Sequence, residues 1–112
     1  VSARREALLW GAQRASAALL ALCVVIHLAT MIYAAHAGLS AAQILARTHG
    51  NLAWLGFYSI FLLAAVVHVP IGLRAVLSEW LGWRGAARDA ALAAFAAALA
   101  WLGARAILGV FL

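Results

Sequence analysis

From Leu8 to Ala35 the chain is almost continuously apolar, and no other feature restricts its fold as tightly. About 20 residues at ~1.5 Å each cross the ~30 Å hydrocarbon core of a bilayer, so this run is long enough to span one. In hydrocarbon every backbone N–H and C=O needs a partner inside the protein, and a single spanning run meets that need only as an α-helix. Two more apolar runs follow, from about Asn51 to Trp80 and from Arg88 to the C-terminus. The expected fold is therefore all-α. It is one transmembrane domain over residues 1–112, an integral membrane three-helix bundle with spans near 7–35, 51–80 and 87–111. Composition points the same way. With 69% hydrophobic and 10% charged residues, against roughly half and a quarter in a soluble domain, the chain has too little polar surface to face water.

The first run follows Arg4 and Arg5 and ends near Ala35–His36–Ala37, which has the outline of a cleaved leader. A leader's apolar core is only ~7 to 15 residues, however, so the longer run here is read as a retained helix. His36 to Asn51 is polar, and Ser40 with Gln43 three residues on has the form of a capping box, expected to start a short interfacial helix. Trp54, Phe57 and Tyr58 open the second run, and Trp80 and Trp83 close it, as aromatic belts do at the two membrane faces. Arg88 and Asp89 open the third, whose small side chains, Ala90 through Ala100, permit close helix approach. Cys23 is alone, which excludes an intrachain disulfide, and is read as a packing residue rather than a ligand.

Arginine supplies every basic residue apart from the histidines. Arg4, Arg5, Arg14, Arg74, Arg84 and Arg88 fall on one side of the expected bundle, and Arg47 and Arg105 on the other. That asymmetry predicts a cytoplasmic N-terminus in a bacterial-type inner membrane and a docking face for soluble partners on the arginine-rich side. The scatter of these arginines at segment ends suits membrane lipid headgroups and argues against nucleic acid.

An ionisable side chain within a membrane run is costly and normally faces a partner or a cofactor, which singles out His27 and His68. His27 lies thirteen residues beyond Arg14, ~20 Å along a helix, and His68 six residues before Arg74, ~9 Å. Measured from one membrane face, they differ in depth by ~10 Å, too much for two ligands of one iron. Neutral imidazole is a good iron ligand, and haem needs only one or two protein donors inside an apolar sheath. The neighbours of His68 on its helix face, Ala64, Ala65, Ile71, Gly72 and Ala75, are mostly small and leave room for a flat macrocycle. Thr30 lies within reach of His27. Pro70 is expected to bend its helix and free a carbonyl near Val66. Arg14 and Arg74 suit haem propionates or, equally, lipid headgroups. Residues alone also admit histidines that only bind neighbouring helices together. His36 and His49, in the polar connection, are read as interfacial.

Two stretches carry a family resemblance. Gln13-Arg14-Ala15-Ser16-Ala17 is similar to the HRxSG motif that opens the first helix of the membrane-anchor cytochrome b subunits of succinate:quinone and quinol:fumarate oxidoreductases, with Gln13 and Ala17 in place of histidine and glycine. His68, Gly72 and Arg74 match the second-helix H-x-x-x-G-x-R. The resemblance implies an electron-transfer subunit in which His68 ligates haem b and Gly72 and Arg74 serve its site. His27 stands where the di-haem branch has a first-helix ligand for the haem farther from the soluble subunits. Four ligands are needed for two irons and the chain offers two, so it is expected to assemble with a second anchor subunit or a second copy of itself. The resemblance further implies an iron–sulfur subunit and an FAD-containing flavoprotein as partners, and quinone as substrate near Arg14 and Ser16, with Trp80 or Trp83 as walls. The chain departs from the family at one further position: Trp10 stands where the mono-haem anchors carry a second serine. No carboxylate lies between Tyr33 and Tyr58, so an outer quinone site with its own acid is not expected. The alternatives are a haem-free structural anchor and a cytochrome b subunit of another quinone-linked dehydrogenase or a hydrogenase.

Overall fold

The computed structural model describes residues 2–112, which form four helices: α1 (Ala3–Ala37), α2 (Ala41–Thr48), α3 (Leu52–Leu81) and α4 (Ala86–Phe111). α1, α3 and α4 are each long and apolar enough to cross a membrane. The chain is a multi-pass membrane helical bundle, with no strand among the described residues.

Local chemistry sets each boundary. Ser2 caps α1 by accepting from the Arg5 N–H at 3.1 Å, and Glu6 sits in the first turn, where the helix dipole favours a negative charge. The helix therefore begins at Ala3 instead of near residue 7, because the polar lead consists mostly of good helix formers. Gly38, left-handed at φ 66°, ends it and returns its N–H to the carbonyls of Ala34 and Ala35. The box at α2 is complete: Ser40 Oγ accepts from the Gln43 N–H at 3.2 Å, and Gln43 Oε1 accepts from the Ser40 N–H at 2.8 Å. Asn51 caps α3 through the N–H groups of Ala53 and Trp54. Pro70 lies inside α3, which continues as helix to Leu81, and its missing N–H leaves the Val66 carbonyl without its helical donor.

α3 is the middle helix, with α1 packed on one side and α4 on the other. α2 lies against the end of α4, where the Gly50 N–H and the Thr48 hydroxyl donate to the carbonyls of Phe111 and Val110, both at 2.8 Å. The bundle measures 49 × 24 × 23 Å, which spans the ~40–45 Å of a bilayer with its headgroup layers. Among the described residues only Cys23, Ala64 and Leu92 form a buried apolar core, while large side chains such as Leu22, Val25, Leu63 and Trp101 face outward. In lipid that inversion costs nothing, because hydrocarbon solvates these faces.

The two seams differ in kind. On α1 the covered positions step Gln13, Ser16, Leu20, Cys23, His27, Thr30, Ala34, alternating three and four residues apart in the manner of a left-handed helix pair. Against α4 the seam is tight and apolar: a Cβ on Gly103 would collide with the Leu62 side chain. At its arginine-rich end Arg88 is buried, donating to Ser78 Oγ at 2.5 Å and to the Asp89 carboxylate at 2.7 Å.

Candidate functional site

Every polar side chain that α1 buries or half-buries within its membrane run lies on the stripe facing α3, and the seam between the two helices holds both intramembrane histidines, His27 from α1 and His68 from α3. His68, on α3, has Nδ1 3.3 Å from Ser16 Oγ. The same hydroxyl donates to the Gln13 carbonyl at 3.1 Å, a bond to the preceding turn. Ser16 is only 6% exposed, so water does not compete for it. One turn further along α3, Gly72 lets α1 come close: a Cβ there would stand 3.2 Å from Gln13 Nε2. The small residues near His68 thus serve in part to admit α1. The space at Gly72 is taken by Gln13.

Arg74 completes this end. Its Nη2 reaches Glu6 Oε1 at 3.4 Å, while its Nε and the Gln13 Oε1 are both buried without a hydrogen-bond partner. A donor and an acceptor left unmatched in a membrane interior are each costly. They mark this end of the seam as a place where a polar group of a ligand or partner would be stabilised.

His27 occupies a different setting. Its Nδ1 lies 3.4 Å from the Tyr58 hydroxyl, and its ring meets Tyr58 and Phe61 edge-on, at centroid distances of 5.9 and 5.7 Å. Trp54 and Phe57 extend the aromatic cluster along α3. Thr30 donates to the His27 carbonyl at 2.7 Å, so its hydroxyl is committed to the backbone and not to the imidazole.

These cross-helix contacts fix the depths. Ser16 is level with His68 and Tyr58 with His27, so the histidines stand eleven residues apart when counted on α1 and ten when counted on α3. Either count gives ~15 Å along the axis, larger than the ~10 Å expected from arginine positions and in the same order. A single iron cannot take both as ligands.

The other sequence-derived candidates are spread out. Arg14 is off the stripe and exposed, its guanidinium 5.0 Å from the centre of the Trp10 ring. Trp80 is 81% exposed and lies twelve residues beyond His68, ~18 Å along α3, and Trp83 lies past the end of that helix. Within this chain, then, Ser16 shares no wall with either tryptophan. His36 is exposed in the last turn of α1, and His49 caps α2. Among the described residues no three His, Cys, Asp or Glu side chains gather into a metal cage.

Sequence reasoning overlooked Gln13 and Tyr58 as neighbours of the histidines, treating the first as a departure from a motif and the second as a belt residue. The three-four spacing of Gln13, Ser16, Cys23, His27 and Thr30 was the available signal, since polar residues in a lipid-facing helix trace its protein-facing side.

No curated protein and no solved structure gives a significant match to the chain. A family model described as "Succinate dehydrogenase/Fumarate reductase transmembrane subunit" matches residues 1–105, which include both the Gln13–Ala17 and the His68–Arg74 stretches. The chain belongs to the succinate dehydrogenase/fumarate reductase transmembrane subunit family.

Proposed function

We propose that this chain is a haem b-binding membrane anchor that passes electrons between an iron–sulfur subunit and membrane quinone in a succinate:quinone or quinol:fumarate oxidoreductase. The family is that of the membrane anchors of these complexes, which implies catalytic and iron–sulfur partner subunits. The observation that carries the reading is the α1–α3 seam itself. It holds two imidazoles, each bonded through Nδ1 to a hydroxyl on the neighbouring helix and ~15 Å apart in depth.

The residues fit a haem. His68 and His27 offer Nε2 as donors, and the unmatched Arg74 Nε and Gln13 Oε1 suit a carboxylate-bearing edge arriving near His68. Bound there, haem supplies a one-electron carrier between the iron–sulfur subunit and quinone. The protein's own part is to hold each imidazole by its far nitrogen, to exclude water with α1, and to set two carriers at two depths. His68 and His27 would each hold one haem, and the second histidine for each would come from another anchor chain, either a different subunit or a second copy. The N-terminus is cytoplasmic, in a bacterial-type inner membrane, which brings the His68 carrier nearest the iron–sulfur subunit. Arg14, exposed at that end over Trp10, is the cation left for quinone or for a headgroup. Trp80 and Trp83 contribute to a quinone site only through a partner's surface.

A second reading has its own support. The Ser16–His68 and Tyr58–His27 contacts are also what a haem-free anchor uses to hold helices together. Reduced-minus-oxidised spectra of the purified complex separate the two. A b-type band together with bound FAD in a partner subunit is expected. Absence of the band would leave the structural anchor, and a partner without FAD would point to another dehydrogenase or a hydrogenase.

A further inference from the structure

The Ser16 hydroxyl has one proton and two neighbours. The Gln13 carbonyl, 3.1 Å away, can only accept. His68 Nδ1, 3.3 Å away, either accepts or donates, depending on which ring nitrogen holds the hydrogen. If the serine proton goes to Gln13, as the shorter contact favours, Oγ has only lone pairs left for the imidazole. Nδ1 must then carry the hydrogen and donate it to Oγ. The remaining nitrogen, Nε2, keeps its lone pair. The reverse assignment would leave the Gln13 carbonyl without this donor and place a hydrogen on Nε2, where it would block any metal. Ser16 is 6% exposed, and α1 covers the contact, so the choice is made by the protein and not by water.

We propose that Ser16 is a positioning residue that locks His68 in its Nδ1–H form and so presents Nε2 as the free donor. The tautomer follows from the hydroxyl's geometry alone, and its use for iron rests on the haem reading above. His27 is not locked in this way, because among the described residues the Tyr58 phenol has no second acceptor that would commit its proton. The two imidazoles therefore differ in preorganisation. A bond from Nδ1–H to an oxygen makes Nε2 a stronger donor, which stabilises the oxidised iron. Loss of that bond raises the potential of the carrier at His68 and leaves the one at His27 unchanged.

Two measurements test this, and they fail separately. In the full chain reconstituted in bilayers without haem, solid-state nitrogen NMR of labelled histidine reads the tautomer directly. The expected result is Nδ1–H for His68 in the unsubstituted chain, a mixture in Ser16→Ala, and recovery of Nδ1–H in Ser16→Thr, which keeps the hydroxyl. An Nε2–H form in the unsubstituted chain would overturn the proposal whether or not haem binds. In the purified complex, Ser16→Ala is expected to weaken one haem by about 10- to 100-fold and to raise its midpoint potential in an optical redox titration, with Ser16→Thr restoring both. If both haems bind and Ser16→Ala moves neither, Ser16 has no role toward the ligand. A complex with no b-type band refutes the haem reading, and the NMR result still decides the tautomer.

Discussion

The two ends of the α1–α3 seam hold the same side chain, a histidine, in opposite surroundings. At the His68 end the neighbours are a serine, a glutamine, an arginine and a glycine. At the His27 end they are a phenol, a phenyl ring and a threonine whose hydroxyl is already taken by the backbone. The first imidazole is held by one hydrogen bond, to Ser16, and lies beside unmatched polar atoms, and the second is held mainly by ring edges. The contrast suits two carriers with unequal tasks. The polar end can accept a charged group and faces the arginine-rich side of the bundle, while the aromatic end offers a rigid, low-dielectric surround further from it.

Substitutions can break this contrast or sharpen it. The largest effect is expected from Gly103→Leu, on α4 where it packs against the opposite face of α3. Its side chain would drive into Leu62 and force α4 away, costing about 1–3 kcal/mol as overpacking does. Thermal unfolding in detergent should drop, and both haems should be lost in parallel, because α3 carries or contacts both histidines. Selective loss of one haem would show that α4 supports only one end. A smaller change is expected from Tyr58→Phe, which keeps the ring edge on His27 and removes only the hydroxyl. Interhelical polar contacts of this kind average about 0.6 kcal/mol in membranes, so haem should be retained and its potential should shift less than in Ser16→Ala. A shift as large as that of Ser16→Ala would mean that the two ends are held alike. The least effect is expected from Gly72→Ala. Its Cβ meets the flexible amide end of Gln13 at 3.2 Å, which has only to give by a few tenths of an ångström, and alanine's better helix propensity, about 0.5–1 kcal/mol, offsets the cost, so stability should barely change and only the His68 carrier should be disturbed in the optical spectrum. Equal disturbance of both carriers would contradict the assignment of Gly72 to one end.

Much of this was legible before any coordinates. The apolar runs marked the three spans, Ser40 and Gln43 marked the start of α2, and the distances of His27 and His68 from Arg14 and Arg74 gave their order in depth. The residues of the two motif-like stretches were also visible, but as separate stretches. Their meeting was not, because it depends on the register between antiparallel helices, which local propensity does not encode. The face of each helix was hard to read for a related reason: with hydrocarbon outside and packed side chains inside, hydrophobicity barely changes around the axis. Only the polar residues report direction, and on α1 Gln13, Ser16, His27 and Thr30 do so while Arg14 points away from the stripe. Gly72 illustrates the limit of reading by size. A glycine near a proposed ligand suggested an open slot, whereas it also lets a neighbouring helix close in. Ser2 and Glu6 likewise turn a polar lead into the first turn of α1.

The central claim is that His27 and His68, ~15 Å apart on one seam, serve two different irons, each completed by a histidine from another chain. Haem content and reduced-minus-oxidised spectra of complexes carrying His27→Ala or His68→Ala test it most directly. Each change is expected to remove about half of the haem, with different spectral components lost in the two variants. Loss of the same single component in both would contradict the claim.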